Sequence, residues 1–146
     1  NADRTMYSLV GIWHVTDDLT YVVQHDYGQD VVPGLTKAEW YGLNQYLLYE
    51  INPRWAAGLR GEWFRDQDGT RVTGARPTNA LHGASFPGSF YEITAGLDWK
   101  PRQNILVRPE VRWDWYDASG PVQQLPFDSG DRASQFLFAI DMIVTY

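Results

Sequence analysis

The sequence predicts an all-β fold, a transmembrane antiparallel up-and-down β-barrel to which this chain contributes about seven strands. Three observations predict it. Seven segments alternate apolar and polar residues with period two. The connections between them alternate between short and long, as they do between the two rims of an outer-membrane barrel. Trp and Tyr gather toward both ends of the segments, where amphipathic rings meet a membrane–water boundary.

Taken in order, residues 5–15 (TMYSLVGIWHV) are a strand by composition with both faces mixed, and Tyr7, Leu9 and Trp13 mark its apolar face. Residues 19–27 set Leu19, Tyr21, Val23 and Tyr27 against Thr20, Val22, Gln24 and Asp26, with His25 out of pattern. Residues 38–51 set Tyr41, Leu43, Leu47, Tyr49 and Ile51 against Gly42, Asn44, Tyr46, Leu48 and Glu50, with Gln45 out of pattern. Residues 55–65 oppose Trp55, Ala57, Leu59 and Trp63 to Gly58, Arg60, Glu62 and Phe64. Residues 90–100 oppose Tyr91, Ile93, Ala95, Leu97 and Trp99 to Glu92, Thr94, Gly96, Asp98 and Lys100.

The contrast is sharpest over residues 104–117, where Ile105, Val107, Val111, Trp113 and Trp115 share one face and Arg108, Glu110, Arg112 and Asp114 the other. Pro109 interrupts the apolar row and removes one ladder donor, so a local irregularity is expected there. Residues 134–146 place Phe136, Phe138, Ile140, Met142, Val144 and Tyr146 on one side and Leu137, Ala139, Asp141, Ile143 and Thr145 on the other. Segments of roughly ten residues are long enough to cross a bilayer when tilted. Short connections fall at 16–18, 52–54 and 101–103, and long polar ones at 28–37, 66–89 and 118–133.

Composition narrows the function classes. The 146 residues suit one domain. With 12 basic against 18 acidic residues the net charge is −6, so no nucleic-acid partner is expected, because phosphates need a basic stripe. The lack of cysteine excludes a disulfide scaffold, a Cys-ligated zinc site and a thiol nucleophile. No run of 18 or more apolar residues offers a transmembrane helix. No charged segment followed by an apolar one opens the chain, which leaves a cytosolic protein or a mature or trimmed form. The odd feature is 7 Trp, 9 Tyr and 6 Phe beside a negative mean hydropathy.

Alternation alone does not separate a soluble barrel, apolar inside, from a membrane barrel, apolar outside. The aromatics do. Trp13, Tyr49, Trp55, Trp99 and Tyr146 sit at the short-turn ends of their strands, and Tyr7, Tyr27, Tyr41, Tyr91, Trp113 and Trp115 sit toward the long loops. A soluble barrel has no reason to sort rings toward both rims, whereas lipid interfaces do. Trp55, Trp99, Trp113, Trp115 and Tyr146 are therefore expected to be interfacial, with outer-membrane lipids as partners. The aromatic carboxy-terminus of 134–146 is similar to the β-signal of Gram-negative outer-membrane proteins, so the barrel-assembly machinery is an expected partner of that strand.

The stretches LTYVVQHDYG, RWAAGLRGEWFRDQDGTRV and YEITAGLDWKPRQNILVRPEVRWDWYD resemble the carboxy-terminal part of the OmpL-like β-barrel porin family. The most specific piece is Leu106-Val107-Arg108-Pro109-Glu110-Val111-Arg112 with the preceding Lys100-Pro101 turn, and the resemblance extends over about residues 7–146. It implies a porin-like barrel in the outer membrane and carries no catalytic motif. Members of the family are longer than this chain. Counting back from a periplasmic Tyr146, the strand at 5–15 starts on the external side, whereas bacterial barrels begin inside and have an even strand number. Residues 1–146 are accordingly expected to be a single outer-membrane β-barrel domain lacking N-terminal strands, or one chain of an assembly with other barrel chains. The alternative is an eight-stranded barrel with a further strand within 72–88.

The polar rows hold eight acids (Asp26, Glu50, Glu62, Glu92, Asp98, Glu110, Asp114, Asp141) and four bases (Arg60, Lys100, Arg108, Arg112). Of these, Arg60, Glu62, Glu92, Asp98, Arg108, Glu110, Arg112, Asp114 and Asp141 are the candidate lumen-lining residues. Side-chain rings of one sign set ion preference in pores, and the same residues also serve as a cross-strand ion network. The excess of acids leans toward cations. The function expected is a porin-like channel for passive diffusion of small hydrophilic solutes or ions, the alternative being a non-conducting scaffold barrel. No enzyme is expected, since adjacent His25 and Asp26 point to opposite faces, His14 lies near the other rim and His82 sits in a loop. No histidine pair has metal-ligand spacing, and Asp66-Gln67-Asp68-Gly69 fails as a calcium loop because Pro77 stands where a bidentate Glu is needed. No cofactor or metal is expected.

Overall fold

The computed structural model describes residues 3–31, 37–72 and 85–146. Seven antiparallel strands, β1 (Arg4–His14), β2 (Leu19–Asp30), β3 (Ala38–Asn52), β4 (Trp55–Asp66), β5 (Gly88–Arg102), β6 (Ile105–Ala118) and β7 (Ser134–Val144), pair in chain order into one sheet. Within this chain the sheet is open, with β1 and β7 at its two edges. An odd count makes these edges run in the same direction, so closing one on the other would need a parallel seam. Residues 73–84 of the interval expected to hide a further strand lie outside the described residues. β4 pairs directly with β5, so no strand intervenes between them in the sheet.

Directly opposite residues share a face, and the register joins every predicted apolar face into one surface. Tyr7 pairs with Tyr27 and Tyr27 with Tyr41. Leu43 pairs with Trp63, Trp63 with Tyr91, Tyr91 with Trp115, and Val111 with Phe138. The mixed first strand is settled in the same way, since Leu9 and Trp13 face His25 and Tyr21. The strands run 11 to 15 residues, β2, β4 and β5 extending beyond the expected segments at their long-loop ends and β5 also to Arg102 at its short turn. Ala38, Phe86 and Tyr116, the buried apolar residues among those described, all lie at the long-loop end. Elsewhere Leu, Ile, Val and Trp are exposed across the whole sheet, an area of contiguous apolar surface that a water-soluble domain does not carry.

The expected irregularity at Pro109 takes a mild form. The β5–β6 pairing skips Leu97 and Asp98 and resumes in the same register at Trp99 opposite Val107. The true shifts lie at two short turns, between Glu50 and Asn52 and between Trp99 and Arg102, where a bulged residue tightens the return of the chain.

Candidate functional site

All nine lumen-lining candidates stand on the polar face. The register converts charge alternation along each strand into transverse rows of one sign. Asn44 faces Glu62, Glu62 faces Glu92, Glu92 faces Asp114, and Asp114 faces Gln135. One step toward the short turns, Tyr46 faces Arg60, Arg60 faces Thr94, and Thr94 faces Arg112. Three carboxylates side by side repel one another, and the two arginines relieve this from the diagonal. Arg60 pairs with Glu62 and reaches Glu92 at 3.2 Å, while Arg112 reaches Glu92 at 2.9 Å and Asp114 at 2.7 Å. Thr94 donates to Glu92 at 2.7 Å and Gln135 to Asp114 at 2.6 Å. Glu92 and Asp114 are consequently only 5% and 4% exposed.

The next row has two glycines at its centre: Leu48 faces Gly58, Gly58 faces Gly96 and Gly96 faces Glu110, and beyond it Ala56 faces Asp98. Arg108 pairs with Asp141 across the β6–β7 ladder at 2.9 and 2.6 Å. Asp98 and Glu110, by contrast, have no ion-pair partner among the described residues. Asn44 Oδ1 and Arg60 Nε are buried on this face without a protein partner. Buried polar atoms of this kind are ordinarily satisfied by water.

Two cavities lie at the ends of the face. At the long-loop end Val72 and Phe86 from the β4–β5 connection meet Pro126 and Phe127 from the β6–β7 connection, enclosing a cavity of about 180 Å³ above Glu62, Glu92, Arg112 and Asp114. The base of the first loop is fixed by Asp66, fully buried, whose carboxylate accepts the backbone N–H groups of Thr70, Arg71 and Val72 at 2.7–3.0 Å. Asp68 in turn accepts the Glu39 N–H at 2.8 Å. The Asp-Gln-Asp-Gly sequence is thus a capped turn with its carboxylates occupied, and Gly69 supplies its positive φ of 66°. Arg71 lies over the Trp40 ring at 3.5 Å and pairs with Asp30 at 3.1 Å, joined there by Arg4 at 2.7 Å. Trp40 can lie flat because Gly28 is opposite it, where a Cβ would run into the indole. Lys37, outside the strands, pairs with Glu39 at 2.7 Å, and this hydrogen bond raises its ammonium above the ordinary lysine range.

At the short-turn end a wider cavity of about 340 Å³ is lined by Asp17, Asp18, Glu50 and Asp98 together with Ala56 and Gly58. Asp17 and Asp18 escaped the sequence pattern because they stand in a turn, where alternation carries no information. Phe86 and Phe127 escaped it for the same reason.

On the apolar face the rings form two belts. Tyr7 stacks on Tyr27 at 5.6 Å, Tyr41 meets Trp63 edge-on at 5.6 Å, and Tyr91 stacks on Trp115 at 5.2 Å near the long loops. Trp113 approaches Phe136 at 6.3 Å, and Trp55 stacks on Trp99 at 5.6 Å near the short turns. Tyr91 and Trp99 are eight residues apart, roughly 27 Å along the strand. Tilted by about 40°, that is a band about 20 Å tall, close to the apolar band of membrane barrels. Tyr146 lies two residues past the end of β7 at Val144 and is fully exposed. The two out-of-pattern residues on this face are explained by neighbours, the Tyr21 hydroxyl donating to Gln45 at 2.6 Å and Tyr7 stacking on His25 at 5.8 Å. His14 sits at the other rim with Nδ1 3.0 Å from the Thr20 hydroxyl, and His82 lies outside the described residues.

A family model described as "Putative beta-barrel porin-2, OmpL-like" matches residues 1–146, the full length of the chain. No curated protein and no solved structure matches it.

Proposed function

From the premise that this chain belongs to the OmpL-like β-barrel porin-2 family, we propose that it forms part of the wall of a water-filled outer-membrane channel passing small hydrophilic solutes, with a preference for cations. The observation that carries this is the division of the sheet into a ringed apolar face and a face of charged rows roofed by the long-loop bases. The apolar face is the side for lipid and the charged face the side for water. Transport then needs no bond chemistry, because width and charge are supplied by the wall and the gradient supplies direction.

The sign of the preference follows from the rows. The constriction under Phe86 and Phe127 holds Glu62, Glu92 and Asp114 against Arg60 and Arg112, an excess of one carboxylate. The short-turn mouth adds Asp17, Asp18, Glu50 and Asp98. Rings of carboxylates concentrate cations at an entrance and lower their barrier relative to anions. The lining residues Arg60, Glu62, Glu92, Asp98, Arg108, Glu110, Arg112, Asp114 and Asp141 act as a graded electrostatic wall.

The dense pairing around Glu92 also favours a second reading, a structural barrel whose charges hold one another and leave no bore. Single-channel recording in a planar bilayer separates the two. Steps of conductance, with a reversal potential of cation-selective sign in a salt gradient, are expected. A folded, inserted protein that gives no steps would overturn the channel.

A further inference from the structure

Trp40 is an indole on the polar face, opposite Gly28 on β2 and Asp66 on β4. Arg71, five residues past the end of β4, turns back over it. Its guanidinium lies 3.5 Å from the ring centroid and reaches Asp30 on β2 at 3.1 Å. Two strand spacings, about 10 Å, separate β4 from β2, so one side chain spans β3 to join them. Arg4 on β1 meets the same Asp30 oxygen at 2.7 Å. The contact is sheltered, with the Asp30 side chain 13% and the Arg71 side chain 24% exposed. A planar guanidinium stacked on an indole and paired out of bulk water is worth more than an exposed ion pair.

The residue after Arg71 is Val72, which roofs the cavity above Glu62, Glu92, Arg112 and Asp114. Asp66 accepts the N–H groups of Thr70, Arg71 and Val72 and so sets the curl of the turn from within. Gln67 and Asp68 tie its first half to Glu39 on β3. Beyond Gly69, Arg71 is the tie to β2 among the described residues. At the other end of the connection Phe86 meets Tyr116 edge-on at 6.0 Å, and the Tyr116 hydroxyl donates to the Pro87 carbonyl at 2.9 Å. The two roof residues are thus drawn toward opposite sides of the sheet, Val72 through β2 and Phe86 through β6.

We propose that Arg71 is the positioning residue of the constriction. Its stack on Trp40 and its pair with Asp30 hold the base of the β4–β5 connection inward over the polar face, and this sets the width above the charged rows. Gly28 belongs to the same device, because only a residue without Cβ lets the indole lie beneath the guanidinium. The proposal rests on the reading of the polar face as the wall of a channel.

The test uses three variants of the full chain that break this strut with different changes of charge. R71Q removes a positive charge, D30A a negative one, and G28A none, since its Cβ displaces the Trp40 ring. Single-channel conductance in a planar bilayer should rise in all three. Trypsin cleavage after Arg71 in the folded protein should quicken about ten-fold in D30A and G28A, as the loop base opens more often. R132Q, at an exposed ion pair in another connection, should leave both readouts unchanged. If Arg71 and Asp30 acted through charge alone, R71Q and D30A would shift the reversal potential in opposite directions and G28A would change nothing. That pattern without a rise in conductance, or unaltered cleavage in both D30A and G28A, would overturn the proposal. Faster cleavage in an inserted protein that gives no conductance steps, with or without the substitutions, would support the strut and overturn the channel reading instead.

Discussion

Glu92 is the most heavily used carboxylate of the polar face. It accepts from Thr94 and is bracketed by Arg60 and Arg112 on the two flanking strands. Removing its charge by E92Q leaves two arginines close together with one acid fewer between them. The cation preference should then weaken or reverse, read as a shift of reversal potential toward the anion side. Unfolding in detergent or lipid should become easier by about 1–3 kcal/mol, the usual cost of losing hydrogen bonds to a charged group. Asp66 answers to a different test. D66A orphans three backbone N–H groups at the loop base, and cleavage by an added protease within 67–87 should accelerate while the strands stay intact. At this scale the sequence was a good guide on strands and a poor one in turns. Parity placed Arg60, Glu92 and Arg112 on the polar side, whereas nothing periodic marked Asp17, Asp18, Phe86 or Phe127.

β7 tests the assignment of faces most directly. Ile140 faces Pro109 on the apolar side, and Ala139 faces Glu110 on the polar side. I140R should impair insertion strongly, by about 2–4 kcal/mol for an arginine near the bilayer midplane, while A139R should be tolerated. Equal yields of membrane-inserted protein for the two variants would mean that the faces are misassigned. The β4–β5 connection is the second element with a clear expectation. Val72 and Phe86, at its two ends, roof the cavity above the charged rows, so deleting residues 70–86 should raise single-channel conductance, and an unchanged value would remove the constriction from the mechanism. Legibility again follows period. The existence and order of all seven strands were readable from alternation. The bulges beside Glu50 and Trp99 were not, because a bulge is a matter of how two strands meet.

For the whole molecule the open edges are the dominant fact. β1 and β7 are exposed on both faces, with Met6, Val10 and Ile12 on the polar side of one and Leu137 and Ile143 on the polar side of the other. Unpaired ladder groups are costly in hydrocarbon, and an apolar edge strand recruits another strand. Residues 1–146 in detergent should therefore run as more than one chain per particle in light scattering coupled to size exclusion. A monodisperse single chain would show that the edges are sheltered without a neighbour. Because β1 and β7 run in the same direction, the register of any strand that pairs them is constrained: one added strand meets both antiparallel, while a second copy meets them parallel.

Taken alone, the sequence determined which residues share a face, since period two is a property of the strand itself and needs no partner. It likewise determined that rings cluster at both ends and that loops alternate in length, and the family resemblance rested on the same linear patterns. Only the tertiary structure decided which charges meet. Along β6 the order Arg108, Glu110, Arg112, Asp114 reads as a ladder within one strand, yet pairing turns it into rows across strands, with Arg108 given to Asp141 and Glu110 left without an ion pair among the described residues. Register is set by the turns and by side chains far apart in the chain, so the rows, the roof of loop residues and the open edges belong to the folded sheet.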